Sequence, residues 1–87
     1  MPNIKIITHA KLRARERGAS EDEIGSTINT GIDVVVSRGR KAKEKVFEYN
    51  NEWLGKEYAQ KKIQAIFVEE YGAIVVITVK VFYGNWG

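Results

Sequence analysis

The spacing of apolar and polar residues divides the chain into two helical segments followed by strands. After a short extended segment, Asn3–Thr8, residues 9–17 read His-Ala-Lys-Leu-Arg-Ala-Arg-Glu-Arg, and Gly18 is placed to end a helix in the left-handed conformation. Thr8 is expected to cap this helix through its hydroxyl. The next helix is marked by a capping box, Ser20 with Glu23 three residues on, flanked by Ala19 and Ile24 in hydrophobic-staple positions. Glu21, Asp22 and Glu23 suit the positive end of its dipole. Ile24 and Ile28 form its apolar stripe, and Gly31 marks its stop.

Beyond Gly31 the period shortens. Ile32–Val36 is β-branched and reads as a strand, and Lys45–Tyr49 resumes strand character after the basic run Ser37–Lys45, which is expected to be a solvated loop. Asn50-Asn51 suggests a turn, and Trp53–Lys62, broken by Gly55, a loop or wide connection. The chain closes with a hairpin: Ile63–Glu69, a turn at Glu70-Tyr71-Gly72, and Ala73–Phe82. In the last strand Ala73, Val75, Ile77, Val79 and Val81 alternate onto one apolar face, with Ile74, Val76, Thr78, Lys80 and Phe82 on the other. A strand apolar on both faces is expected near the middle of its sheet, which puts Thr78 and Lys80 on one face there. The fold expected is α+β: two N-terminal helices packed on a mostly antiparallel twisted sheet of about four strands, one domain over residues 1–87.

Composition removes several classes. The 87 residues contain no cysteine and one histidine, so disulfides, thiolate metal sites and multi-histidine sites within one chain are excluded. No metal or cofactor is expected, and a cysteine-free chain is compatible with a reducing cytoplasm. The longest apolar run, Ala73–Val79, is too short to cross a bilayer as a helix, and no membrane association is expected. A net charge of +3 with a pI near 9.3 leans toward an anionic partner.

The histidine gives that charge a focus. His9, Arg13 and Arg17 stand at i, i+4 and i+8 and therefore share one helix stripe. An imidazole and two guanidiniums so gathered are not the makings of a simple core helix, although Arg17 has carboxylates at Glu16 and Glu21 within reach.

The run His9, Ala10, Arg13, Glu16, Arg17, Gly18, Ser20 and the closing Val76-Ile77-Thr78-Val79 with Val81-Phe82-Tyr83-Gly84-Asn85-Trp86 resemble the two ends of a family of small prokaryotic domains of unknown function. That family is in turn similar in fold to the barnase, colicin and RelE-type ribonuclease toxins. The resemblance implies a RelE-like fold and a toxin-like endoribonuclease that works without a metal. Such a protein acts on RNA and is held in check by an acidic antitoxin-like partner. The chemistry needed is a base for the 2′-hydroxyl, cations for the phosphorane and an acid for the leaving oxygen. His9 is the side chain whose ordinary pKa suits proton transfer. Arg13 and Arg17 would hold phosphate oxygens and Thr78 would donate a hydroxyl. Arg38, Arg40, Lys41, Lys62 and Lys80 would add charge, and Tyr83 a donor or a stacking ring. The alternative is a non-catalytic RNA- or protein-binding module that uses the same basic surface.

Overall fold

Two short turns set the sheet, and both ask for backbone that most residues avoid. The computed structural model describes residues 3–36 and 39–86. Its elements run β1 (Asn3–Ile6), α1 (Thr8–Arg17), α2 (Glu21–Thr30), β2 (Ile32–Val34), β3 (Lys41–Trp53), β4 (Lys56–Glu70) and β5 (Ala73–Gly84). Leu54-Gly55 joins β3 to β4 and Tyr71-Gly72 joins β4 to β5; the φ values are +52°, +85°, +49° and +76° in that order. Positive φ at both central residues is the hairpin turn whose twist matches that of its strands.

The sheet has five strands in the order β1-β5-β4-β3-β2, with β1 parallel to β5 and the other pairs antiparallel. The fold remains α+β, but the expectation of about four mostly antiparallel strands is corrected. Asn3–Ile6, read as a mere extended lead-in, is a fifth strand that pairs in parallel with the far end of the chain, Ile4 opposite Ile74 and Ile6 opposite Val76. A four-residue strand carries no local mark of a partner some seventy residues away. Other boundaries also move. Lys41–Lys45 belongs to β3, not to a loop, and Trp53–Lys62 is a tight hairpin. Asn50-Asn51 is no turn: Asn50 takes φ +46° where the β3–β4 register shifts between Glu48 and Asn51.

The helices lie on one face. α1 buries only Ala10 and Ala14, small side chains that let it approach β5 closely. Its preceding residue, Ile7, offers no side-chain cap, so the expected Thr8 cap is absent; Gly18 does end the helix with φ +87°. α2 has the capping box, the Ser20 hydroxyl accepting from the Glu23 amide at 3.1 Å and the Glu23 carboxylate from the Ser20 amide at 3.0 Å. Ile24 and Ile28 from α2 pack with Ile63, Ala65, Phe67, Val76 and Val79 of the sheet. Each isoleucine, valine or phenylalanine in this set contributes about 1.5–3 kcal/mol on burial.

β5 does not keep one alternation. Its register against β4 shifts at Ile66/Phe67, so that Phe67 opposes Val76 while Ile66 opposes Thr78, leaving Ile77 unopposed. A bulge of this kind exchanges faces. Ile74 and Val76 before it, and Val79 and Val81 after it, all join the core beneath the helices. β5 is also not central along its whole length. β1 pairs only with Ala73–Val76, so Thr78 and Lys80 lie on a stretch that borders the sheet.

Candidate functional site

α1 runs beside the part of β5 that β1 leaves uncovered. His9, Ala10, Arg13 and Arg17 from the helix and Ile77, Thr78 and Val79 from the strand line one cleft of about 310 Å³. The helix period explains the first set. His9, Arg13 and Arg17 lie on the stripe flanking the buried Ala10 and Ala14, and so look along the strand edge instead of into the core. The bulge at Ile77 supplies the second, presenting Ile77, Thr78 and Val79 together at the edge.

The charges in this cleft differ in how they are held. The Arg17 guanidinium donates to the Val79 carbonyl at 2.7 Å, satisfying an acceptor that the missing edge strand leaves open. Arg17 therefore bridges helix and strand and makes no ion pair with Glu16 or Glu21 among the described residues. Those carboxylates instead approach Arg13 and Lys11, each at 3.9 Å, in exposed pairs of small energetic value. His9 is exposed at the start of α1.

Behind the cleft, a second cluster holds the α1–α2 corner in place. The Tyr83 hydroxyl donates to the Arg17 carbonyl at 2.6 Å. Trp53 stacks on the Tyr83 ring at 4.7 Å between centroids, with Tyr49 and Tyr58 tilted against it at 5.2 and 5.7 Å. Burial first, then Tyr49 and Glu23, push the Tyr83 phenol up to about 12. Lys61 is buried beside this cluster, donating to the Gly18 carbonyl at 2.8 Å and to the Glu23 carboxylate at 2.9 Å. Burial alone would raise the Glu23 pKa. The Ser20 amide and the Lys61 ammonium instead hold it below the ordinary glutamate value.

Of the residues expected to form a site, His9, Arg13, Arg17 and Thr78 meet in the cleft. Tyr83 stands behind it, with its hydroxyl already committed to Arg17. Lys62 and Lys80 lie on the sheet face away from the helices, opposite Phe82 and Gln64 in the β4–β5 register. Arg40, just before β3, and Lys41, its first residue, are two strands removed, and Lys41 is bound to Glu69 at 2.6 Å, a carboxylate that raises its pKa. Arg38 lies outside the described residues. Sequence reasoning missed the Val79 carbonyl as the acceptor for Arg17, because a backbone group carries no sequence signal. It also missed Lys61, whose burial follows only from the packing of α2 on β4. Among the described residues no helix is long and apolar enough to cross a membrane.

Comparison of the chain with protein-family models, with curated proteins and with solved structures finds no match.

Proposed function

We propose that the α1–β5 cleft binds a phosphodiester of RNA and that the protein is a small endoribonuclease using side chains alone. The observation that carries the reading is the shared cleft: the single histidine of the chain lines the same space as Arg13, Arg17 and Thr78. In the reaction His9 takes the proton of the 2′-hydroxyl, whose oxygen attacks phosphorus. The 5′-oxygen leaves, taking a proton from water, and the products are a 2′,3′-cyclic phosphate and a 5′-hydroxyl. Arg13 bears on the non-bridging oxygens, Arg17 adds positive charge while anchored on Val79, and Thr78 donates a hydrogen bond. The resemblance of the His9–Ser20 and Val76–Trp86 segments to the ends of a family of small domains of unknown function, itself similar in fold to the ribonuclease toxins, points in the same direction, and an acidic protein covering the cleft would hold the activity in check.

A second reading, RNA binding without cleavage, is favoured by two observations. The Arg17 guanidinium already spends a donor on Val79, and His9 is the only imidazole available for two proton transfers. Cleavage of labelled single-stranded RNA in EDTA, by wild type and by His9→Ala, separates the two. Loss of about 10²–10⁴ in rate on removing the imidazole fits general acid–base catalysis. No cleavage by wild type with binding retained leaves the binding reading, and equal rates in the two proteins exclude His9 as the base.

A further inference from the structure

The sheet face turned away from the helices carries a constellation of its own. Lys61 and Tyr83 reach the helices, so their neighbours Lys62 and Phe82, which oppose one another in the β4–β5 register, stand on the far face. The Lys62 ammonium lies 4.7 Å from the centroid of the Trp86 ring. That ring rests against Gly84: a Cβ at this position would come within 3.0–3.2 Å of three ring atoms, so only glycine leaves the indole room beside the strand. The segment after β5 is fastened to β4 as well. The Trp86 amide donates to the Gln60 side chain at 2.6 Å, and the Asn85 side-chain oxygen accepts from the Ala59 amide at 2.8 Å. Phe82 and Trp86 nevertheless keep 46% and 44% exposure.

Two large rings are thus held in place by backbone and hydrogen bonds, yet left half open beside an ammonium. Lys80 stands on the same face, two residues from Phe82, and Thr78 two residues before that. Along a strand this spacing is about 6.6 Å per step, so Phe82 lies about 13 Å from the cleft-lining Thr78 on an unbroken line. Of the carboxylates on this face, Glu44 approaches Lys62 at 4.0 Å; Lys80 has no ion pair among the described residues. Cations interleaved with exposed rings suit an anionic chain that carries aromatic faces.

We propose that this face is a stacking platform for the bases of a single-stranded nucleic acid, continuous along β5 with the cleft. The inference deepens the ribonuclease reading and rests on it for the position of the reacting phosphate. Phe82 and Trp86 take the bases of nucleotides flanking that phosphate, and Lys62 and Lys80 take the backbone charge. The substrate class is therefore single-stranded: the bases of a duplex are stacked on one another and present no free faces.

The test uses the full chain and a fluorescein-labelled single-stranded DNA oligonucleotide, which lacks the 2′-hydroxyl and so cannot undergo the cleavage step. The same sequence as a duplex is the comparison. Wild type is expected to prefer the single strand. Phe82→Ala and Trp86→Ala should each weaken single-strand binding about 5- to 150-fold with duplex affinity unchanged. Trp86→Phe, which keeps a ring, should retain most of the affinity, and circular dichroism checks that each variant is folded. Equal single-strand affinity in wild type and both alanine variants overturns the platform, as does wild-type binding of the duplex as tight as of the single strand. A protein ligand that needs these rings while the oligonucleotide does not bind also overturns it. RNA cleavage measured in parallel tells the two claims apart. Cleavage that persists with ring-independent binding sinks the platform alone; ring-dependent binding without any cleavage sinks the ribonuclease alone.

Discussion

Replacing Gly18 by alanine tests the corner on which the candidate site is mounted. Gly18 takes φ +87°, and a Cβ there would collide with the Tyr83 hydroxyl and lie 3.1 Å from the Trp53 ring. The left-handed backbone alone costs an alanine about 1–2 kcal/mol. Displacing Tyr83 would also break its 2.6 Å hydrogen bond to the Arg17 carbonyl, a loss of about 0.5–1.5 kcal/mol. Disturbing the Trp53–Tyr83 stack adds about 0.5–1.5 kcal/mol. The expected total is about 2–5 kcal/mol, a large part of the roughly 5–15 kcal/mol typical of a small domain. Urea unfolding followed by tryptophan fluorescence measures it, and a double-mutant cycle with Tyr83→Ala isolates the collision. In the Tyr83→Ala background the glycine replacement should cost only the backbone share, about 1–2 kcal/mol. A penalty below about 1 kcal/mol in wild type would refute the left-handed corner, and an identical penalty in both backgrounds would refute the Tyr83 contact.

Three further outcomes are expected. Ser20→Ala, which removes the cap of α2, should cost about 0.5–2 kcal/mol in the same unfolding assay. Glu23 titrates below its ordinary 4.5 in the folded protein, so its contribution is complete above that value and is lost as pH falls through the folded pKa; Glu23→Gln should therefore show a shallower decline of stability at acid pH. Leu54→Asn should raise stability by up to about 1 kcal/mol, since Leu54 sits at φ +52° and asparagine tolerates that region better; a lowered unfolding midpoint would contradict the turn geometry.

What the sequence made legible follows the range of each interaction. The capping box at Ser20–Glu23 and the glycine stop at Gly18 were readable because their partners lie within four residues. The stripe of His9, Arg13 and Arg17 was readable for the same reason, and these residues do face one cleft. The pairing of β1 with β5 was not, since nothing in Asn-Ile-Lys-Ile names a partner at the other end of the chain. Nor was the bulge at Ile77: the strict alternation of Val75, Ile77 and Val79 is real in the sequence, but the β4 register breaks it. Leu54-Gly55 hid its turn because it puts a bulky residue where asparagine or aspartate is the usual signal, whereas the turn at Tyr71-Gly72 was legible from its glycine between two apolar runs. The basic run was read as loop because charge dominates it, whereas Lys41, Lys43 and Lys45 are drawn into β3 by pairing with Phe67, Ala65 and Ile63.

The most direct test of the proposed chemistry is the mass spectrum of products from a short single-stranded RNA, incubated with the protein in EDTA, and from the same oligonucleotide with one 2′-deoxynucleotide at the mapped cleavage position. Attack by the 2′-hydroxyl under control of His9 predicts a 2′,3′-cyclic phosphate and a 5′-hydroxyl from the first. From the second it predicts no cleavage at that position. Absence of products from both, or cleavage that survives the 2′-deoxy substitution and leaves a 3′-hydroxyl, would contradict the account.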